Sequence, residues 1–239
     1  GCAAALSACA NGLQVVMTEE TDWIGGQVTS QGVPPDEHQW IENFGPTRRY
    51  REYREKVRQW YLENMNVNDK KSLFNPGNGL VSNICHDPRV SLHVLQDMLM
   101  PYVLTGQLTI KLNTVVSEIK REGRTLHSAL IHNLIAKKET RMTACYFIDA
   151  TEAGDVLPLA ELDYVVGAEA KSDTNEPYAL EVADPQDIQA ITHVLAMEYR
   201  EHEEHTIEEP EMYTFWRDFH PSIWPDKYLS FYAPHPITK

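Results

Sequence analysis

The sequence has no long apolar run, no closely spaced cysteine pair and no excess of basic charge, and each absence narrows what the chain does. Nothing approaches the ~18 consecutive apolar residues of a membrane-crossing helix, so no membrane span is expected. Cys2, Cys9, Cys85 and Cys145 never form a C-x-x-C pair, which leaves no zinc or iron–sulfur signature. Four cysteines in 239 residues do not make a disulfide scaffold either, so they read as reduced thiols and favour a cytoplasmic setting. The 21 basic residues stand against 35 acidic ones, a net charge of −14 that argues against nucleic acid or an anionic membrane as partner. A small-molecule partner fits better. The sequence also lacks a Ser-His-Asp nucleophile pattern and a phosphate-binding G-K-S/T loop.

What is present begins at once. Gly1 leads into the small-residue run Cys2–Ala10, then Asn11-Gly12, then Leu13–Glu19. Alanine and serine allow a helix to lie close on a sheet, Asn11-Gly12 supplies a left-handed stop, and residues 13–19 read as a buried parallel strand. The paired glycines Gly25-Gly26 let backbone amides approach a ligand that a Cβ would hold off. Further on, Pro46 is predicted as the first residue of an amphipathic helix carrying Tyr50, Tyr53, Val57, Trp60, Tyr61 and Met65. His86-Asp87-Pro88 opens a second helix with Val90, Val94, Leu95, Met98 and Leu99, ended by Gly106. Strands around 108–112, 115–120 and 126–134 are expected to form a β-meander, and 142–149 one more strand. A helical stretch is predicted at about 185–204. Apolar content of 42% is enough for an ordinary core.

Eighteen steps separate Gly1 from Glu19, close to the roughly 20-residue offset at which dinucleotide folds place the acid that binds a ribose. Alone, this spacing fits an ordinary helix–strand unit equally well. Strand alternation and spacing favour Glu19 over Glu20. Two longer stretches, Glu19–Gln27 (EETDWIGGQ) and Phe147–Ala160 (FIDATEAGDVLPLA), are more specific. They resemble the two signature regions of the FAD-dependent oxidoreductase family with a glutathione-reductase-like flavin fold. The resemblance covers most of residues 1–170 and, more weakly, the Trp216–Pro225 region.

The resemblance implies an α/β fold: a Rossmann-like FAD-binding domain, a parallel sheet plus β-meander, with inserted helices and a second, partly helical substrate domain. Its expected bounds are 1–35 with 100–165 for the flavin domain, 36–99 for the helical insertion and 166–239 for part of the substrate or cap domain. By resemblance, Gly1 matches the last glycine of G-x-G-x-x-G and Glu19 the acid on the adenosine ribose. Gly25, Gly26 and Gln27 match the loop under the pyrophosphate and flavin, and Val115 or Val116 offers backbone to adenine, with Val116 preferred. Asp149, Ala150 and Thr151 match the second strand-end motif, while Gly154 and Asp155 match a turn near the ribityl chain or pyrophosphate. Glu152 departs from the pattern, standing where many flavoproteins have glycine. The first strand and two of the three glycines have no counterpart, so the chain reads as N-terminally truncated.

Catalytic candidates are Cys85, as a thiol, and His86, as a proton donor near neutrality. Against them stands a structural reading of His86-Asp87-Pro88 as a helix entry and of Cys85 as a small buried hydrophobe. Ser30, Gln31 and His38 are proximity candidates beyond the glycine pair. His193, His202 and His205 with Glu198, Glu201 and Glu204 would share a face if helical, which fits a metal site less well than a solvated acidic helix. His220, Trp216 and Trp224 fit a substrate wall or, more commonly, a core edge. The leading reading is a flavoprotein in which FAD exchanges a hydride or electron pair with a small organic substrate. The alternatives are a non-catalytic remnant that binds no flavin and an NAD(P)-dependent dehydrogenase, the latter disfavoured by the Asp149–Asp155 stretch.

Overall fold

Helix α1, Cys2–Ala10, turns its Ala5, Leu6 and Cys9 inward and stops where Gly12 adopts φ +82°. Strand β1, Val15–Thr18, pairs in parallel with β2, Leu108–Lys111, in the register Val15 to Leu108 and Thr18 to Lys111. This computed structural model describes residues 1–67, 73–191, 193–222 and 226–230. The chain divides into two units, Gly1–Leu195 and Ala196–Lys239.

Between the paired strands run two long helices. Helix α2, Arg48–Asn64, starts two residues later than Pro46 predicts from the sequence, because the Thr47 side chain accepts the Tyr50 N–H and acts as the cap. Met65 ends that helix exposed, outside the apolar face. Helix α3, Pro88–Leu104, begins as the sequence suggests, with Pro88 in the first turn and Asp87 accepting the Arg89 N–H. Gly106, at φ +74°, takes the turn beyond its end, and the Thr105 hydroxyl donates to the carbonyl of Pro101. The core is built on α3: Val90, Val94, Leu95, Met98 and Leu99 pack with Leu6 and Cys9 of α1, Met17 of β1, Val57 of α2 and Leu108 of β2.

Three expectations about strands and helices need correction. The stretch 108–112 is the second strand of the parallel pair, and the meander consists of β3, Thr114–Glu122, β4, Thr125–Asn133, and β5, Lys138–Met142, paired antiparallel in that order. Parallel pairing joins partners far apart in sequence, so no local pattern marks it. Residues 143–149 form no strand; Tyr146 and Ile148 are exposed, and without a ladder partner an apolar alternation does not hold β structure. Nor is the 185–204 helix present among its described residues: Ile188, Ile191, Leu195 and Met197 are exposed, so no buried face supports helical hydrogen bonds there. Strand β1 itself is only partly buried, since Val16 is 44% exposed.

After the meander come two single-turn helices, α4, Val156–Leu159, and α5, Lys171–Thr174. In the second unit α6, Tyr213–Asp218, carries Phe215 and Trp216, whose rings meet those of Phe219 and Tyr228. Trp224 and Pro225 lie outside the described residues. The result is a mixed α/β fold with one parallel and one antiparallel sheet, consistent with flavin binding.

Leu99 is completely buried at the centre of α3. Leu99→Ala is expected to cost about 2–5 kcal/mol, the range for a cavity left in a packed core. Urea unfolding checks this as a lower midpoint with an unchanged slope.

Candidate functional site

The carboxyl ends of the parallel strands converge on Glu19. Its N–H donates to the Lys111 carbonyl at 3.0 Å, extending the ladder past β1, and its own carbonyl accepts the Thr114 N–H at 2.8 Å. The end of β1, the end of β2 and the start of β3 therefore meet at one residue. The Glu19 side chain is half-buried, whereas Glu20 is exposed. Thr21 orients the carboxylate by donating its N–H at 3.0 Å and its hydroxyl at 2.9 Å, both to Oε1. Among the described residues Oε2 accepts no hydrogen bond.

Glu19 also faces the start of α1. The Cys2 thiol is pushed up chiefly by burial; the chain's amino terminus lowers it and the Glu19 charge raises it. Gly1 caps α1 without a side chain, so no capping group covers the leading amides of the helix. A Cβ at Gly1 would meet only the Met17 sulfur at 3.7 Å, an ordinary contact. Acid, helix start and strand end thus lie together.

The glycine loop is built from two different requirements. Gly25 has φ +116°, and a Cβ there would fall 2.7 Å from Leu95 Cδ1, so this glycine lets the loop lie on α3. Gly26 has φ +58° and opens a short turn, Gly26–Val28, whose carbonyl accepts the N–H groups of Thr29 and Gln31. Thr29, 1% exposed, donates its hydroxyl to the Ile24 carbonyl at 2.7 Å and pins the turn to the core. Gln27 is exposed, and its carbonyl accepts the Val33 N–H.

The second signature stretch is a self-bonded loop. Asp149 Oδ1 accepts the N–H and hydroxyl of Thr151, Asp149 Oδ2 accepts the Val156 N–H, and Thr151 Oγ1 accepts the Asp155 N–H at 2.8 Å. Burial pushes the Asp149 carboxyl up, but these donors outweigh it and hold the group below the usual carboxylate range. Ala150 and Asp155 are exposed, and Gly154 turns the chain at φ +69° into α4. Gln31, just beyond the first signature stretch, donates Nε2 to Glu152 Oε1 at 2.8 Å across 121 residues of sequence, and the same oxygen lies against Gly26 of that stretch. Val116 lies on β3 opposite Ile131, half-buried, where the register shifts before Glu118.

A family model described as FAD dependent oxidoreductase matches residues 1–231, nearly the whole chain. The chain belongs to this family. Its cofactor is FAD. Neither the curated proteins nor the solved structures gave a match. The residues present suit the adenosine half of such a cofactor: an acid with one oxygen lacking a hydrogen bond among the described residues, beside a helix start whose cap is a glycine without a side chain.

In this flavoprotein-family chain the two catalytic candidates sit in packing. Cys85 is 7% exposed beneath Gly77 and Gly79, and its thiol donates to the Ser82 carbonyl. His86 places Nδ1 2.5 Å from the Ile84 carbonyl, which can only accept, so Nδ1 carries the proton. Nε2 then accepts, with the Ser91 hydroxyl at 2.6 Å and the Tyr53 hydroxyl at 3.2 Å. Tyr53 also bonds Ser91 directly, and burial, the largest cause, pushes its hydroxyl up to about 12. His38 is exposed against Trp40 and Phe44, and Ser30 is exposed near the Gly26 carbonyl. Residues 193–205 are not helical, so their histidines and glutamates share no helical face.

A buried ionic network went unread in the sequence. Arg54 pairs with Glu37 and Glu42, and Arg58 donates to Glu42 at 2.6 Å, to the Phe74 carbonyl at 2.9 Å and to the Asn83 carbonyl at 3.2 Å. Tyr50 donates to Glu37, and its hydroxyl is strongly raised by burial, then by that carboxylate. The network borders a cavity of about 500 Å³ on α2 that includes Ile41, Leu62 and Leu73. Of the arginines lining it, Arg54 and Arg58 already have carboxylate or carbonyl partners. The legible signal was Arg54 and Arg58, one turn apart, flanking Val57 on the apolar face.

Removing Glu37 leaves two buried arginines sharing the single carboxylate of Glu42, an uncompensated buried charge. Glu37→Ala is therefore expected to destabilise by about 3–5 kcal/mol, measured by denaturant unfolding. His86 supplies a pH dependence. Burial holds its imidazole below the usual value, opposed by the Ile84 carbonyl and the charges of Asp87 and Glu37. The unfolded chain then binds that proton more readily, so the stability is present above about pH 6.5 and lost as pH falls through the lowered folded value. Urea midpoints between pH 7.5 and 5 are expected to fall, and His86→Gln to flatten that part of the slope.

Proposed function

We propose that this chain is a flavin oxidoreductase in which a hydride or electron pair passes between a small organic substrate and bound FAD. The observation that carries the reading is the approach of the two family signature stretches at Gly26 and Glu152, secured by Gln31 just beyond the first, in a family whose cofactor is FAD. When bound, FAD supplies the two-electron redox chemistry, and the protein binds and orients.

Glu19 would hold the adenosine ribose, since its free Oε2 can accept from a hydroxyl while Thr21 fixes Oε1. The N-terminal amides of α1 beside Gly1 would face the pyrophosphate. Gly25, Gly26 and Gln27 would let the loop backbone approach the cofactor. Asp149, Ala150, Thr151, Gly154 and Asp155 would form the opposite wall, its shape held by the Asp149 and Thr151 hydrogen bonds. Val116 would offer backbone to adenine from the irregular point of β3. Residues 36–99 would be a helical insertion and 166–239 part of the substrate or cap domain.

Flavin absorbance of the purified protein, or after addition of FAD, tests this reading. A colourless protein that takes up no added FAD would overturn it, and a thermal shift with NAD(P)H alone would favour the dehydrogenase alternative. Glu19→Ala is expected to weaken FAD binding roughly tenfold or more, the worth of hydrogen bonds to a charged group, with little change in the unfolding midpoint.

A further inference from the structure

The loop Asp149–Val156 keeps its shape through its own hydrogen bonds, but those bonds do not tie it to the glycine loop. Among the described residues, the hydrogen bond that joins the two loops is the 2.8 Å contact from Gln31 Nε2 to Glu152 Oε1. Gln31 belongs firmly to its own loop, because its N–H donates to the Gly26 carbonyl at 3.2 Å. Glu152 Oε1 lies against Gly26: a Cβ built there would be 2.6 Å from it. The carboxylate thus occupies the space that a side chain at position 26 would fill, and Gly26 serves the contact as well as its left-handed turn. No Lys, Arg or His pairs with Glu152 among the described residues, so its hydrogen-bonding strength is directed to this amide and not to an ion pair.

We propose that Glu152 is a positioning residue: it clasps the glycine loop to the Asp149–Val156 loop through Gln31 and sets the spacing of the cofactor site before FAD arrives. The proposal rests on the flavin reading for its consequence but not for its existence, since the clasp belongs to the cofactor-free protein. A charge-assisted hydrogen bond is stronger than a neutral one, yet this pair is exposed and solvent weakens it. Its effect is therefore a moderate one on order and affinity, without loss of the fold.

Amide hydrogen exchange on the FAD-free chain tests the clasp directly, with Glu152→Ala, Gln31→Ala, the double variant and Glu152→Gln. Each alanine variant is expected to speed exchange at residues 26–33 about fivefold, the double variant no more than either single one. Glu152→Gln keeps an oxygen that accepts from Gln31 and is expected to stay near the parent protein. FAD affinity, followed by flavin fluorescence, is expected to fall by about the same factor in the same variants. Parent-like exchange in both alanine variants, or effects that simply add, would overturn the clasp. If the parent chain takes up no FAD but the exchange pattern appears, the flavin reading fails and the clasp stands.

Discussion

The parallel pairing of β1 with β2 is the constraint on which the first unit depends. Parallel neighbours cannot be joined by a tight turn, so the 89 residues from Glu19 to Gln107 must leave one end of the pair and return to the other. The glycine loop, α2 and α3 all lie in that crossover. Helix α3 completes it by packing its apolar face on α1 and β2, which buries Val90, Val94, Leu95, Met98 and Leu99. Where both strands end, the chain must turn, and Asn113 and Thr114 hydrogen-bond back to Thr21 and Glu19. Glu19 is thus fixed by backbone pairing, and only its side chain is left to meet a ligand.

The crossover brings polar groups inside as well as apolar ones. Helix α2 is rich in arginine, and its inward face includes Arg54 and Arg58 beside Tyr53 and Val57. Water cannot hydrate those guanidinium groups, so the loop before the helix supplies Glu37 and Glu42, and the loop after it supplies the carbonyls of Phe74 and Asn83. The network therefore gives two irregular segments a defined place on the helix. Such a device contributes less net stability than an apolar contact of the same size, but a loop that moves away leaves a charge unpaired. On the same helix Tyr53 reaches Ser91 and His86, tying α2 to the start of α3 by hydrogen bonds.

Much of this was legible where the signal is local. Asn11-Gly12, Asp87-Pro88 and Gly106 each mark a helix end, because capping involves only neighbouring residues. The spacing from Gly1 singled out Glu19, and its pairing with Lys111 and Thr114 sets that residue at the strand ends. Illegible features depend on partners distant in sequence. Residues 143–149 have the apolar content of a strand but no ladder partner, and the described residues of 185–204 have apolar side chains but no buried face. The strand at 108–112 looks like any meander strand until its partner, some 93 residues earlier, is known.

The candidate site repeats this division at the scale of single side chains. Glycines announce themselves, but Gly25 and Gly26 are needed for different reasons. At Gly25 the obstacle is Leu95 of α3, a core residue, so that glycine serves folding; at Gly26 it is Glu152, from the other signature stretch. Asp149 spends its carboxylate on Thr151 and Val156, and so shapes the wall instead of reaching outward. Glu19 spends one oxygen on Thr21 and keeps the other. Of the acids that the resemblance implies at the cofactor, Asp149 is committed to the backbone that shapes its loop, whereas Glu19, fixed at the strand ends, keeps one oxygen without a hydrogen bond among the described residues, as recognition of a ligand hydroxyl would require.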